Sequence, residues 1–285
     1  VNQHRNGKQT RRPAPGRNIS TVTDKAGALK VNDLMPGQRI SVDHFVCSSK
    51  GRLQSSRGET NDDELYTGGC IFVDHASSYV HVVMQRHLNT HETINAKTEF
   101  EQMCLDNGVV AQGYQSDNGS SFTSAEYTTH LKDFQQVTRF AGVGAHHHNG
   151  VAERAIQHVM AMSRTMMLHS ALHWPEVADA ALWPLAVSQA CFIINHVPNE
   201  VTGLAPCDIV TKMRWEQRKL HDIHVWGCPV YLLDKHIGNG KKIPRLSPRS
   251  TRYMYMGDVP TTCHHSTHGP QSANWNNHST VPRHF

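Results

Sequence analysis

Apolar and polar positions alternate from Arg39 to Val46 (RISVDHFV), the two-residue period of a strand with one face buried. A turn at Leu34-Met35-Pro36-Gly37 precedes it. Two more strands are predicted at 69–74 and at 79–84, where Tyr79, His81 and Val83 alternate, and HASS between them turns a hairpin. The stretch 47–67 has no apolar period and reads as a mobile loop. Then the period lengthens. Ile94, Lys97, Thr98, Glu101 and Leu105 are spaced for a helix over 90–107, stopped by Asn107-Gly108. A fourth strand over 109–116, a helix over 125–136 capped by Ser124, and a fifth strand over 137–143 follow. Ile156, Val159, Met160, Ser163, Met166 and Met167 lay a core-facing stripe along a helix over 151–169. Trp174-Pro175 breaks the chain, and 176–197, apolar on most sides, predicts a buried helix. Short strands are predicted in 225–233 and in the basic 241–256. Three strands in a meander, followed by two strand–helix alternations, give an α/β fold.

Three acids fall at the ends of these elements. Asp43 sits in mid-strand or near the end of the first strand. Asp117 closes the fourth and is followed at once by the turn signal Asn118-Gly119. Glu153 lies just past a second such pair, Asn149-Gly150, where a helix begins. Taken singly each is ordinary: a strand-end Asp caps turns, and a Glu in a first helical turn suits the helix dipole. Taken together, two strand ends and a helix start suit a pair of hard divalent cations, which take oxygen ligands and leave places for water and phosphate. Two such ions about 3.5–4 Å apart can activate an attacking oxygen and stabilise a leaving one. His146, His147 and His148 are neighbours in an extended loop, where adjacent side chains point apart, so contact with substrate suits them better than one shared ion.

The motifs YQSDNGSSF (114–122) and HHHNGVAERAI (146–156) resemble the catalytic core of retroviral and retrotransposon integrases, the second most like the Ty1/copia branch. NHVPN, GLAPCDIV and HVWGCPVYLLD further along resemble copia-type relatives too, so the likeness runs from Thr10 to Asp258. It implies a ribonuclease-H-like mixed five-stranded sheet flanked by helices, with a small β-containing C-terminal extension. It also implies a polynucleotidyl transferase that trims and joins the 3′ ends of element DNA, with Asp43, Asp117 and Glu153 as catalytic and metal-binding residues. The family carries its first acid on the first strand, which favours Asp43 over Asp74; Asp74 is then a hairpin residue or one supporting the acids from behind. Two Mg²⁺ (or Mn²⁺) ions are implied when DNA is bound. Other implied partners are double-stranded DNA and further copies of the chain, in the nucleus and in a cytoplasmic virus-like particle. Asn118, His147, His148, Asn149, Arg154, Arg164, Lys241, Lys242 and Arg245 are the expected nucleic-acid contacts. Family members often carry basic residues one and two turns after the Glu, where this chain has Gln157 and Met160. GKQTRRP resembles the segment after an HHCC zinc module, but only His4 stands near its cysteines, so that module is expected to be missing from this fragment of a polyprotein. The expected divisions are a basic linker (1–33), the core (34–200), the extension (201–258) and a weakly ordered tail (259–285). Rival readings are a nuclease of the same fold, a decayed DNA-binding remnant, and a His-rich metal-binding protein.

Composition adds charge placement. Net charge is only +4. Yet 43–126 holds 12 acids against five Lys/Arg, 1–23 holds five Lys/Arg and no acid, and 235–257 holds six Lys/Arg and no acid. An acidic middle between basic ends fits a metal site bordered by phosphate-binding arms. Seven scattered Cys with no CxxC read as reduced thiols. No apolar run reaches the roughly 18 residues of a spanning helix.

Overall fold

The computed structural model describes residues 34–52, 64–140, 149–176, 178–200, 202–213, 223–233 and 248–257. The histidine loop 146–148, Lys241, Lys242, Arg245, the linker and the tail lie outside them. Three strands form the expected meander: β1 (Ile40–Gly51) pairs antiparallel with β2 (Tyr66–Asp74), and β2 with β3 (Val80–Gln85). β4 (Gly113–Ser116) joins the other side of β1 in parallel, and β5 (Val137–Phe140) lies parallel beside β4. The resulting order, β3-β2-β1-β4-β5, is a mixed five-stranded sheet in the order expected of a ribonuclease-H-like fold.

The strand period sorts β1 onto two faces. Ile40 and Val42 pack with the core under α1 (Thr90–Asp106), α2 (Ser120–Thr123), α3 (Ala125–Asp133) and α6 (Pro206–Thr211). Phe45 packs on the opposite face with α4 (Gly150–His173) and α5 (Trp183–His196). α6 belongs to the first core through Cys207 and Val210, although the expected core boundary at residue 200 falls before it. A separate hairpin of β6 (Pro229–Leu233) and β7 (Ser250–Met254) docks on the end of α4: Trp174 Nε1 donates to the Gly227 carbonyl at 2.6 Å, and Arg252 stacks over the Trp174 ring at 4.1 Å. Among the described residues, no helix is long and apolar enough to cross a membrane.

Several boundaries differ from the sequence pattern. β1 runs five residues past Val46, because its polar end is gripped from afar: Trp183 Nε1 donates to the Ser49 carbonyl at 2.9 Å, and the Arg52 N–H to Ala181 at 2.8 Å. β2 begins at Tyr66, paired with Gly51 across a bulge. β4 is shorter than 109–116 because the Gln112 N–H bonds the Gly37 carbonyl of the preceding turn instead of a strand. α3 stops at Asp133, with Gln135 in the left-handed region (φ 56°) ending it. α5 does not start at 176. A 3-10 turn, Ala180–Leu182, comes first, and Pro184, which has no N–H to give, sits in the helix's opening turn. On α1 the buried face is Thr93, Ala96, Lys97, Phe100, Met103 and Cys104, while Thr98 and Leu105 point out. Lys97 sits in the core because Glu101 neutralises it at 2.9 Å and the rings of Tyr114 and Phe134 lie within 5.4 Å of its ammonium.

Candidate functional site

Asp43 is the fourth residue of β1, half-buried, on the α4 side of the sheet by the strand period. Its Oδ1 accepts the His44 N–H at 2.8 Å. Burial pushes its carboxyl up to about 6; the His44 N–H draws it back down, and the negative charges of Asp117 and Glu153 add to the rise. Both of the other acids therefore stand near enough for Asp43 to feel them.

Asp117 is the first residue after β4, where the parallel strand runs out. Its Oδ1 accepts the Gly119 N–H at 3.0 Å, the local turn that Asn118-Gly119 encodes. Glu153 is exposed in the first turn of α4. What places it is Asn149, the residue before the helix. Asn149 is 1% exposed, and its Nδ2 donates at 3.0 Å to the carbonyl of Val42, the residue before Asp43. One hydrogen bond thus ties the start of α4 to the part of β1 that bears the first acid.

The neighbour His44 braces the site from the other face of β1. Its ring stacks on Phe122 of α2 at 4.5 Å, and its Nε2 lies 3.0 Å from Thr93 Oγ1. Burial holds this imidazole down to about 4, so it is neutral at pH 7 and serves as a wedge. Since α2 begins three residues after Asp117, the stack couples β1 to the segment after the second acid. Asp74 takes no part in the cluster. It is buried, and its carboxylate accepts the N–H groups of Gly37 and Ser77 at 2.8 Å and the Ser77 hydroxyl at 2.6 Å, which makes it the hairpin residue expected. Gly37 needs that place in the turn, its φ of +87° being open chiefly to glycine.

The expected nucleic-acid contacts divide. Asn118, Arg154 and Arg164 are exposed, though Arg154 Nε bonds its own helix at the Gly150 carbonyl (2.9 Å). Asn149 is corrected: buried and bonded to β1, it anchors a helix and has no surface to offer DNA. His147, His148, Lys241, Lys242 and Arg245 lie outside the described residues. Sequence reasoning missed Arg39, Gln115 and Arg139, which line a cleft of about 590 Å³ with Phe140. Only strand register brings them together, and the register was not visible beforehand.

The three acids expected to hold a metal carry carboxylates, hard oxygen groups of the kind that Mg²⁺ or Mn²⁺ takes. Among the described residues, no group of three or more His, Cys, Asp or Glu stands close enough to hold a metal ion, and the link between the three acids is the electrostatic influence of Asp117 and Glu153 on Asp43. None of the six described cysteines is in a disulfide, and burial raises the thiols of Cys70, Cys104 and Cys191.

No family model matches the chain. By sequence it is similar to the "Retrovirus-related Pol polyprotein from transposon RE2" of Arabidopsis thaliana, 27% identical over 139 residues, 47% of this chain and 8% of that protein. It is also similar to the "Retrovirus-related Pol polyprotein from transposon TNT 1-94" of Nicotiana tabacum, 26% identical over 145 residues, 50% of this chain and 10% of that protein. The match therefore spans a tenth or less of either relative's length. Among solved structures, the HTLV-2 integrase catalytic core domain in complex with magnesium is similar at 18% identity and TM-score 0.42, over 62% of this chain and 98% of that one. The BIV integrase catalytic core domain gives 14% identity and TM-score 0.43, over 62% and 95%.

Proposed function

We propose, from a chain whose homologues are copia-type Pol polyproteins and whose sheet has the ribonuclease-H-like order, that this is the catalytic core of a retrotransposon integrase. Its reactions would be trimming of element DNA at the 3′ end, with water attacking a phosphodiester, and joining, with the freed 3′-hydroxyl attacking target DNA. Asp43, Asp117 and Glu153 would hold the divalent cations. When bound, these supply charge that steadies the attacking and leaving oxygens.

The observation that carries the reading is the placement of Asp43. A half-buried carboxylate in the middle of a strand, raised by burial and further by the charges of two more acids, is electrostatically unfavourable by itself. Folds tolerate such clusters at functional sites, and a cation is what would let the three close in. The chain's own residues supply position. The Asx turn at Asp117 orients one carboxylate, the Asn149–Val42 bond ties the start of the helix that bears Glu153 to β1, and neutral His44 holds β1 against α2.

The test is joining of a labelled, pre-cut donor end to a target duplex, with Mg²⁺ and with chelator. Joining should need Mg²⁺, and Asp117→Asn should abolish it while leaving duplex binding largely intact. Undiminished joining by that variant would remove the acids from the chemistry. Cleavage of the donor without joining would favour the plain nuclease.

A further inference from the structure

Arg39 and Arg139 sit 100 positions apart in the sequence and face each other across the cleft that Gln115 and Phe140 complete. Register explains the meeting. Gln115 of β4 pairs with Arg139 of β5, and Arg39 immediately precedes β1, the strand on the other side of β4. Gln115 Oε1 accepts from both Nε and Nη2 of Arg39, at 3.0 and 2.6 Å, and so fixes the guanidinium over the cleft. Neither arginine has a carboxylate partner among the described residues, and each repels the other; Arg39 is held below its ordinary value by burial and then by Arg139. Two arginines lining one cleft, with no carboxylate partner among the described residues, make a place for an anion.

The cleft's position says which anion. Arg39, Ser41 and Asp43 share one face of β1, as Gln115 and Asp117 do along β4, by the strand period. At about 3.3 Å per residue, Arg39 stands roughly 13 Å along the sheet from Asp43, and Gln115 about 7 Å from Asp117. With 3.4 Å of axis per nucleotide of one DNA strand, that is roughly two to four nucleotides.

We infer that Arg39 and Arg139 form a phosphate-binding subsite for the DNA strand whose phosphodiester lies at the three acids, gripping its backbone two to four nucleotides away. The subsite rests on the function proposed above and adds a strand path to it. The arginines are positioning residues and touch no reacting atom. Arg139 is exposed and can be changed without disturbing the core, while Arg39→Lys keeps a charge but loses the forked geometry.

The probe is a short fluorescein-labelled duplex with a pre-cut 3′ end, bound by the full chain over a series of salt concentrations. Arg139→Ala and Arg39→Gln should each flatten the plot of log affinity against log salt by about one phosphate's worth, a slope change near 0.9. Lys132→Ala, on α3 under the opposite face, should leave the slope unchanged. A neutral methylphosphonate placed two to four nucleotides from the end should weaken wild-type binding and have no further effect on Arg139→Ala, which a purely structural role or a free-anion site would not produce. Unchanged slopes, or no phosphate position coupled to Arg139, overturn the subsite. If joining persists while the slopes do not move, only the subsite falls. If the slopes move as expected but the wild type never joins ends in Mg²⁺, the subsite stands and the transferase reading falls.

Discussion

A carboxyl raised to about 6 in mid-strand changes what pH does to this fold. In the unfolded chain an Asp ionises near 3.9. Below that value Asp43 is protonated in both states and has no net effect. Between about 4 and 6 the folded chain keeps a proton that the unfolded one releases, so stability falls as pH rises through this window, and above it the penalty is complete. Asp43→Asn keeps the shape without the charge. It should be more stable than the wild type at pH 8 by on the order of 1–2 kcal/mol, discounted because the group is only half-buried, and no more stable at pH 4. Urea unfolding at the two pH values decides it; an equal difference at both would mean that the charge is not what strains the strand. At this scale the positions of the acids on their elements were legible because each lies beside a signal of its own, a strand period or an Asn-Gly turn. Arg39 and Arg139 were not, since each alone is an ordinary surface cation and only their pairing across β4 gives them meaning.

Elements carry the acids, so their attachments decide whether the acids meet. α4 reaches β1 through one buried amide. Asn149→Ala would leave the Val42 carbonyl without its partner and free the first turn that bears Glu153. A loss of about 1–3 kcal/mol is expected from the orphaned group. Thermal unfolding reads that loss, and Mg²⁺-dependent joining should fall further than stability alone explains, with duplex binding retained. A variant that joins ends as the wild type does would show that Glu153 is placed by something else. Element existence was largely legible: all five sheet strands and the main helices lie where the periods put them. Their limits were less so, for one physical reason. The tail of β1 has no apolar pattern because Trp183 and Ala181, some 130 positions on, supply the partners that hold it. Lys97 on α1 reads as polar, yet Glu101 and two rings make a core residue of it. Long-range partners of this kind leave no trace in a local window.

Across the whole molecule, charge has two layers that salt can separate. The described residues offer a small basic cleft of two arginines beside a cluster of acids. The basic runs at 1–23 and 235–257 add five and six Lys/Arg with no acid among them. If DNA met only the cleft, two neutralised phosphates would give a plot of log affinity against log salt with slope near −2, at about −0.9 per phosphate. Eleven further cations make a steeper slope the expectation for the full chain. Replacing the five Lys/Arg of 1–23 by Gln should bring it part of the way back towards that limit, and neutralising Lys235, Lys241, Lys242, Arg245 and Arg249 as well should bring it closer still. Each step should weaken binding to all duplexes alike, since phosphate contacts position a strand without reading its sequence. A full chain whose slope already sits near −2, and does not move when the arms are neutralised, would confine DNA contact to the sheet face and leave the basic runs with no part in it.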